Sequence, residues 1–222
     1  MLSAMSNYEP TKRTKVRRLA KRAVYDKVQV HGILDEGKLC HVGFNVEGQP
    51  YVIPTLYCRL GEQIYIHGSG ASRMLRTLEH GVDVCVTVTL VDAYVLARSA
   101  FHHSMNYRSV VILGRARLVS DPAELMRALK AITDHIVPQR WDEVRAPNEL
   151  EMKQTLVLTL PLNEVSAKVR SGPPVDDDED YTLPVWAGLV PVRTEVGEPV
   201  SDGRLAPGTP PFEPSRFKRP AS

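Results

Sequence analysis

From Leu39 to His67 the spacing of apolar residues is that of strands, and glycine-containing turns break it into pieces. Leu39, Val42 and Phe44 lead to Glu47-Gly48, then Tyr51 to Tyr57 leads to Gly61-Glu62, and Ile64 to His67 follows. Short β-rich runs joined by such turns predict an antiparallel meander. Pro54 interrupts the second run, and because proline donates nothing to a ladder it predicts a bulge, an edge, or a place where something other than a strand lies alongside. "VDVCVTVTLVDAYVLA", "YRSVVILGRARLVS" and the runs Thr155 to Leu160 and Glu164 to Val169 read as further strands.

Helical spacing is confined to three places. "DKVQVHGILDEGK" predicts a short helix with Val28, Ile33 and Leu34 apolar and a stop near Gly37. "MLRTLEHG" predicts a brief one with Met74, Leu75 and Leu78 on one face and Gly81 as its stop. The third is the clearest, with Asp121 as N-cap, Pro122 in the first turn, Glu124 placed for a capping box, and Leu125, Leu129, Ile132 and Ile136 on one stripe. Roughly six or seven strands with few helices predict a mainly β fold, a closed or half-closed antiparallel barrel with helices capping it.

The flanks differ in character. Residues 1–22 form a basic arm with Lys12, Arg13, Lys15, Arg17, Arg18, Lys21 and Arg22, residues 23–192 hold the domain, and residues 193–222 are a proline-rich tail expected to be extended or disordered. An acidic linker, "PPVDDDED", precedes the apolar "YTLPVWAGLVPV", which is apolar enough to dock on the barrel.

Composition narrows the class. The 222 residues are 43% hydrophobic and 24% charged, enough for one real core, and a net charge of +2 gives no nucleic-acid footprint. Nucleic acid is therefore not an expected partner, although the arm alone would be its place. Cys40, Cys58 and Cys85 lie far apart in apolar runs with no C-x-x-C pair, as buried thiols in a reducing compartment do. With no signal-type stretch and no run long enough for a membrane span, the expectation is a soluble, cytoplasmic protein with no membrane partner.

Candidate chemistry centres on "HGSGASR", His67 to Arg73, between a strand and a short helix. Backbone N–H groups, small hydroxyls and a fixed cation are what a phosphate needs. No G-x-x-x-x-G-K-[ST] is present, and Gly68 and Gly70 lack the third glycine and the parallel βαβ unit of a dinucleotide fold. A phosphate held on a β-barrel by Ser69, Ser72 and Arg73 remains. His102 and His103 invite a metal reading, but neighbours on a strand point to opposite faces and no third ligand lies at a useful spacing, so no metal is expected.

Three more stretches, "YVIPTLY", "MNYRSVVILG" and "VWAGLVPV", join that turn in an ordered series from "RAVYD" through "ILDEG", "CHVGF", "GQPYVIPTLY", "IYIHGSGASRM" and "NYRSVVILGRA". Over about Arg22 to Val192 the chain resembles the pyridoxamine 5'-phosphate oxidase-like family of FMN-binding split barrels, in the flavin-nucleotide-binding branch related to nitroimidazole-resistance proteins. The resemblance implies a six-stranded antiparallel split barrel working as a homodimer with FMN at the subunit interface. It would lay backbone of Pro54, Thr55, Leu56 and Tyr57 along the flavin ring, with His67, Ser69, Ser72 and Arg73 on the phosphate side. Asn106, Tyr107, Arg108 and Ser109 would sit near the flavin, and Trp186 would cover the ring or the substrate space.

The same resemblance implies two-electron flavin chemistry on a small cytosolic molecule, with no catalytic side chain of its own. The carboxy-terminal Arg-x-His of true pyridoxamine phosphate oxidases has no counterpart in "PPFEPSRFKRPAS", so a nitroreductase-like or other flavin reductase is expected in place of vitamin B6 oxidation. A flavin carrier or sensor without turnover is the alternative. A haem-handling protein is another, since the wider superfamily includes such members and His41, His67, His102 and His103 are available.

Overall fold

The computed structural model describes residues 7–217; the first six residues of the basic arm and the last five of the tail lie outside it. Ten strands form one antiparallel sheet. They are β1 (Ala23–Val24), β2 (Leu39–Val46), β3 (Gln49–Leu60), β4 (Gln63–Ser69), β5 (Asp83–Leu96), β6 (Ser104–Arg115), β7 (Arg117–Leu118), β8 (Thr155–Pro161), β9 (Glu164–Arg170) and β10 (Gly188–Pro191). The order is β1-β9-β6-β5-β2-β3-β4-β8-β7, with β10 added beside β5. The mainly β split-barrel architecture is as expected, but the strand number is ten, not six. β1 and β7 have two residues each and β10 four, too short for any periodicity to announce them.

The sheet curls around one core. Cys40, Val42 and Phe44 of β2, Val84, Val86 and Val88 of β5, Val110 and Ile112 of β6, and Leu158 and Leu160 of β8 face each other inside it. Helix α1 (Lys27–Glu36) starts where the Asp26 carboxylate accepts the Gln29 N–H at 2.9 Å. Its buried face is Val30, Ile33 and Leu34, whereas Val28, apolar too, is exposed. Helix α2 (Arg73–Glu79) buries Met74, Leu75 and Leu78 as expected.

Helix α3 (Pro122–Ile136) covers a second cluster on the outer face of β3, β4 and β8, where Ala128 and Ile132 meet Cys58, Tyr65 and Val157. Asp121 caps it by accepting the Ala123 and Glu124 N–H groups. The capping box expected at Glu124 does not form, because that carboxylate accepts from the Tyr65 hydroxyl at 2.9 Å and from Arg117 at 2.7 Å. A capping box does form at helix α4 (Glu149–Gln154), between Asn148 and Glu151.

Two irregularities place the site. β3 pairs with β2 along Gln49 to Leu56 but with β4 only from Tyr57 on, so the stretch holding Pro50 and Pro54 has one unpaired edge. β5 carries a bulge at Asp92, and its buried positions change from even (Val84, Val86, Val88) to odd (Ala93, Val95) across it. "VWAGLVPV" docks as expected, with β10 paired to β5 from Gly188–Leu96 to Pro191–Ala93.

Beyond Val192 the described tail has no strand; it returns to the body through an ion pair of Arg216 with Glu143. A single ion pair at the surface, even a half-buried one such as this, adds little. Removing residues 193–222 is expected to leave the urea midpoint unchanged, and a clear drop would show that the tail docks. The thiols are free, and burial pushes Cys40 and Cys58 each up to about 12.

His31, His67 and His135 all fold with pKa values lowered from 6.5, chiefly by burial. Around them stand Tyr8, Glu62 and Arg59 at His31, and the Gly37 carbonyl at His135. Between the folded and unfolded values the unfolded chain binds more protons, so stability is full above the unfolded value and falls as the pH drops through the folded ones. Urea midpoints should hold from about pH 7.5 down to the unfolded value of 6.5 and fall from there to about pH 5.5, and a profile flat throughout would contradict the burial of these rings.

Candidate functional site

The turn Ser69 to Ser72 is built by contacts from far along the chain. A side chain at Gly68 would place its Cβ 3.0 Å from Leu75 Cδ1, and one at Gly70 would stand 3.5 Å from the Gln154 carbonyl oxygen. These glycines allow close packing of α2 and of the end of α4; neither has a positive φ. The amides expected to face an anion are used internally. Gly70 N–H donates to the Gln154 carbonyl at 2.8 Å, Ala71 N–H to Ser69 Oγ at 3.1 Å, and Ser72 N–H to the Ser69 carbonyl at 2.9 Å.

Cationic side chains and hydroxyl protons remain. Ser72 Oγ caps α2 by accepting from Leu75 N–H, and Ser69 Oγ likewise accepts, so each hydroxyl keeps its own proton to donate. Arg73 lies over the Tyr51 ring at 4.4 Å, which ties the turn to β3. Arg76 Nε donates to the Gly70 carbonyl at 2.6 Å and leaves the rest of its fork free. Arg73, Arg76, Thr77, His80 and Ala71 line an open cleft of about 460 Å³. Among the described residues neither arginine has a carboxylate partner, so the cleft is a concentrated positive charge. Arg76 and His80 were not singled out from the sequence, although Arg73-x-x-Arg76 at helical spacing carries the signal.

The other expected site residues occupy three separate places. In β3, Pro54 and Leu56 are exposed and Thr55 is half-buried, while the Tyr57 side chain is fully buried and donates to the Leu34 carbonyl at 2.5 Å. At the start of β6, Asn106 is buried against Arg170 and the Gly172 carbonyl, Tyr107 is half-buried, and Ser109 donates to the Lys168 carbonyl at 3.4 Å. Arg108 is clamped between Glu36, at 2.5 Å, and Asp92, at 2.7 Å, and these carboxylates raise its pKa and use its charge. Trp186 is 65% exposed, its ring folded over Gly188, where a Cβ would meet it at 3.1 Å. Within one chain no hydrogen bond, ion pair or ring contact among the described residues joins the turn at Arg73 to β6.

His67 lies on the outer face of β4 opposite Val157. Its Nδ1 is buried with no hydrogen-bond partner. Among the described residues no three of His, Cys, Asp or Glu gather as a metal site.

Residues 26–169 match the family model for pyridoxamine 5'-phosphate oxidase. Among solved structures, a flavocytochrome from Azotobacter vinelandii is 44% identical, with 92% of this chain and 95% of that one covered and a TM-score of 0.86. The FAD and heme binding protein from Mycobacterium smegmatis is 36% identical, with 87% and 95% covered and a TM-score of 0.83. A candidate 5-nitroimidazole antibiotic resistance protein from Bacteroides thetaiotaomicron, 23% identical over 66% and 86% with a TM-score of 0.54, shares the fold. No curated protein matches the chain.

Proposed function

Because the chain belongs to the pyridoxamine 5'-phosphate oxidase family, we propose that it is a flavin-binding redox protein whose flavin phosphates lie against Arg73 and Arg76. The observation that carries this reading is the cleft beside the Ser69 to Ser72 turn, with two arginines one helical turn apart and no carboxylate on either. Bidentate guanidinium groups at that spacing suit a pyrophosphate better than a single phosphate. FAD is accordingly proposed ahead of the FMN expected from the sequence, in line with the Mycobacterium smegmatis relative.

The unpaired edge of β3 at Pro54 to Leu56 offers backbone to a flat ring, and the flavin supplies the two-electron chemistry. A homodimer with the flavin at the subunit boundary would bring the turn of one protomer to Asn106 to Ser109 and Trp186 of its partner, which explains why they stay apart in one chain. Arg108, its charge already used, would shape the pocket near Asp92 and hold no phosphate. The substrate class proposed is a small cytosolic electron acceptor, of the nitroreductase or flavin reductase kind. A carrier without turnover would bind flavin equally, and steady reoxidation by an added acceptor separates the two.

A second reading has its own observation. His67, whose buried Nδ1 has no hydrogen-bond partner, is the residue this reading would make an axial ligand of haem iron, which brings four nitrogens of its own and needs no cluster of protein ligands. Both near-full-length relatives are described as flavocytochrome or heme binding. The test is the absorption spectrum of the purified protein, with mass identification of what denaturation releases. Flavin bands that release FAD support the first reading; a colourless chain that takes up no added flavin ends it. A haem band lost in His67→Ala while the flavin bands persist supports the second, and a haem band untouched by that change refutes the ligand assignment.

A further inference from the structure

A buried cation on the outward face of β9 has no counter-charge among the described residues. Arg170, the last residue of β9, is 9% exposed. Its Nη1 donates to Asn106 Oδ1 and, at 3.5 Å, to the Gly172 carbonyl, and its Nε is buried with no partner. Arg98 and Arg108, also partly enclosed, are matched by Asp176 and by Glu36 with Asp92. Among the described residues no carboxylate acts on Arg170. Its charged neighbour is Arg22, and burial together with that like charge lowers its pKa.

The surroundings add charge of the same sign. Lys168 stands two residues earlier on the same face of β9, paired across the ladder with Ala23, the residue after Arg22. Tyr107 of β6 is the residue opposite Arg170. Among the described residues neither Arg22 nor Lys168 makes an ion pair. A guanidinium is not deprotonated in a protein, and enclosing one beside two more cations is costly unless an anion arrives.

We propose that Arg170, Lys168 and Arg22 form a binding site for the phosphate group of a small molecule. Nη1 is engaged by the protein, which leaves Nε and Nη2, the edge that meets an oxyanion bidentately. Three cations match a dianionic phosphate better than a carboxylate, and the Tyr107 hydroxyl is a further donor at hand. The site is distinct within the chain from the Arg73 and Arg76 cleft, since β6, β5, β2 and β3 lie between β9 and β4 in the sheet. It stands whether or not that cleft holds a flavin. The phosphate can belong to a separate substrate or to a flavin seated across a subunit boundary.

The test titrates the full-length protein with inorganic phosphate and pyrophosphate while the Arg170 Nε–H resonance is followed, with sodium chloride at matched ionic strength as control. A saturable shift at roughly millimolar phosphate or tighter, absent with chloride and weakened about tenfold in Lys168→Met, is expected. Lys168 is half-exposed, so its variant stays informative if Arg170→Met fails to fold. Phosphate should also raise the thermal midpoint of the wild type and not that of Arg170→Met. Repeating the titration on flavin-saturated protein identifies the source: a persisting shift means a separate phosphorylated molecule, and a lost one means the flavin's own phosphate. No shift, an equal shift with chloride, or an unchanged affinity in Lys168→Met overturns the proposal. So does an Nε–H signal that responds only to protein dilution, which would put a carboxylate of a second copy there.

Discussion

Changing Arg73 and Arg76 together to alanine should weaken flavin binding by roughly 10²- to 10⁴-fold, as two lost hydrogen bonds to a charged group at about 1.5–3 kcal/mol each require. Both side chains are exposed and neither is in an ion pair, so the urea midpoint should hold while affinity collapses. That separation distinguishes a ligand site from a structural one. Equilibrium titration of apoprotein with FAD, and in parallel with FMN, measures it. An affinity within about threefold of wild type would remove the phosphate from this cleft. A loss seen for FAD but much smaller for FMN would locate the second phosphate at one of the two arginines.

Tyr57→Ala should be the most destabilising single change near the site, at about 3–5 kcal/mol for a fully buried aromatic. The residue is a keystone between α1 and the barrel. Its hydroxyl satisfies the Leu34 carbonyl at the end of α1, its ring packs against His135 at 5.4 Å, and a Cβ at Gly37 would come within 2.8 Å of its oxygen. Tyr57→Phe should lose about 1–3 kcal/mol, the penalty of a buried carbonyl left without a donor. Urea denaturation measures both, and an unchanged midpoint for Tyr57→Phe would mean that water reaches Leu34. Flavin affinity of the phenylalanine variant should be unaltered, because this side chain faces the core and only its backbone is offered to a ligand.

What could be read from the chain was local. Alternation set out the long strands, Asp121 and Pro122 marked α3, and the composition of His67 to Arg73 marked the turn that the cleft adjoins. What could not be read depended on partners distant in sequence. Gly68 and Gly70 suggested a nest of free amides, yet their reason is the approach of Leu75 and Gln154, and those amides are spent inside the fold. Arg108 looked available until β5 bulged at Asp92 and α1 brought Glu36 beside it. The same bulge exchanges the inward and outward positions of one strand, so a single period run through "VDVCVTVTLVDAYVLA" assigns its second half to the wrong side. Arg170, which nothing in the sequence singles out, is a buried and unmatched charge among the described residues of the fold.

The amino-terminal arm carries a consequence for synthesis. Thr11 and Arg13 both bond to Glu164, more than 150 residues later (Thr11 to Glu164 spans 153), and among the described residues β1 pairs with β9 alone. On a ribosome this arm is made well before the strand it seats on, and it waits for almost the whole domain before it can find its place. Until then Tyr8 and Thr14, buried in the finished fold, travel uncovered on the nascent chain, and closing the sheet over so long a loop is an intrinsically slow event. The arm is a late latch, and a chain released before β9 emerges would leave it permanently open.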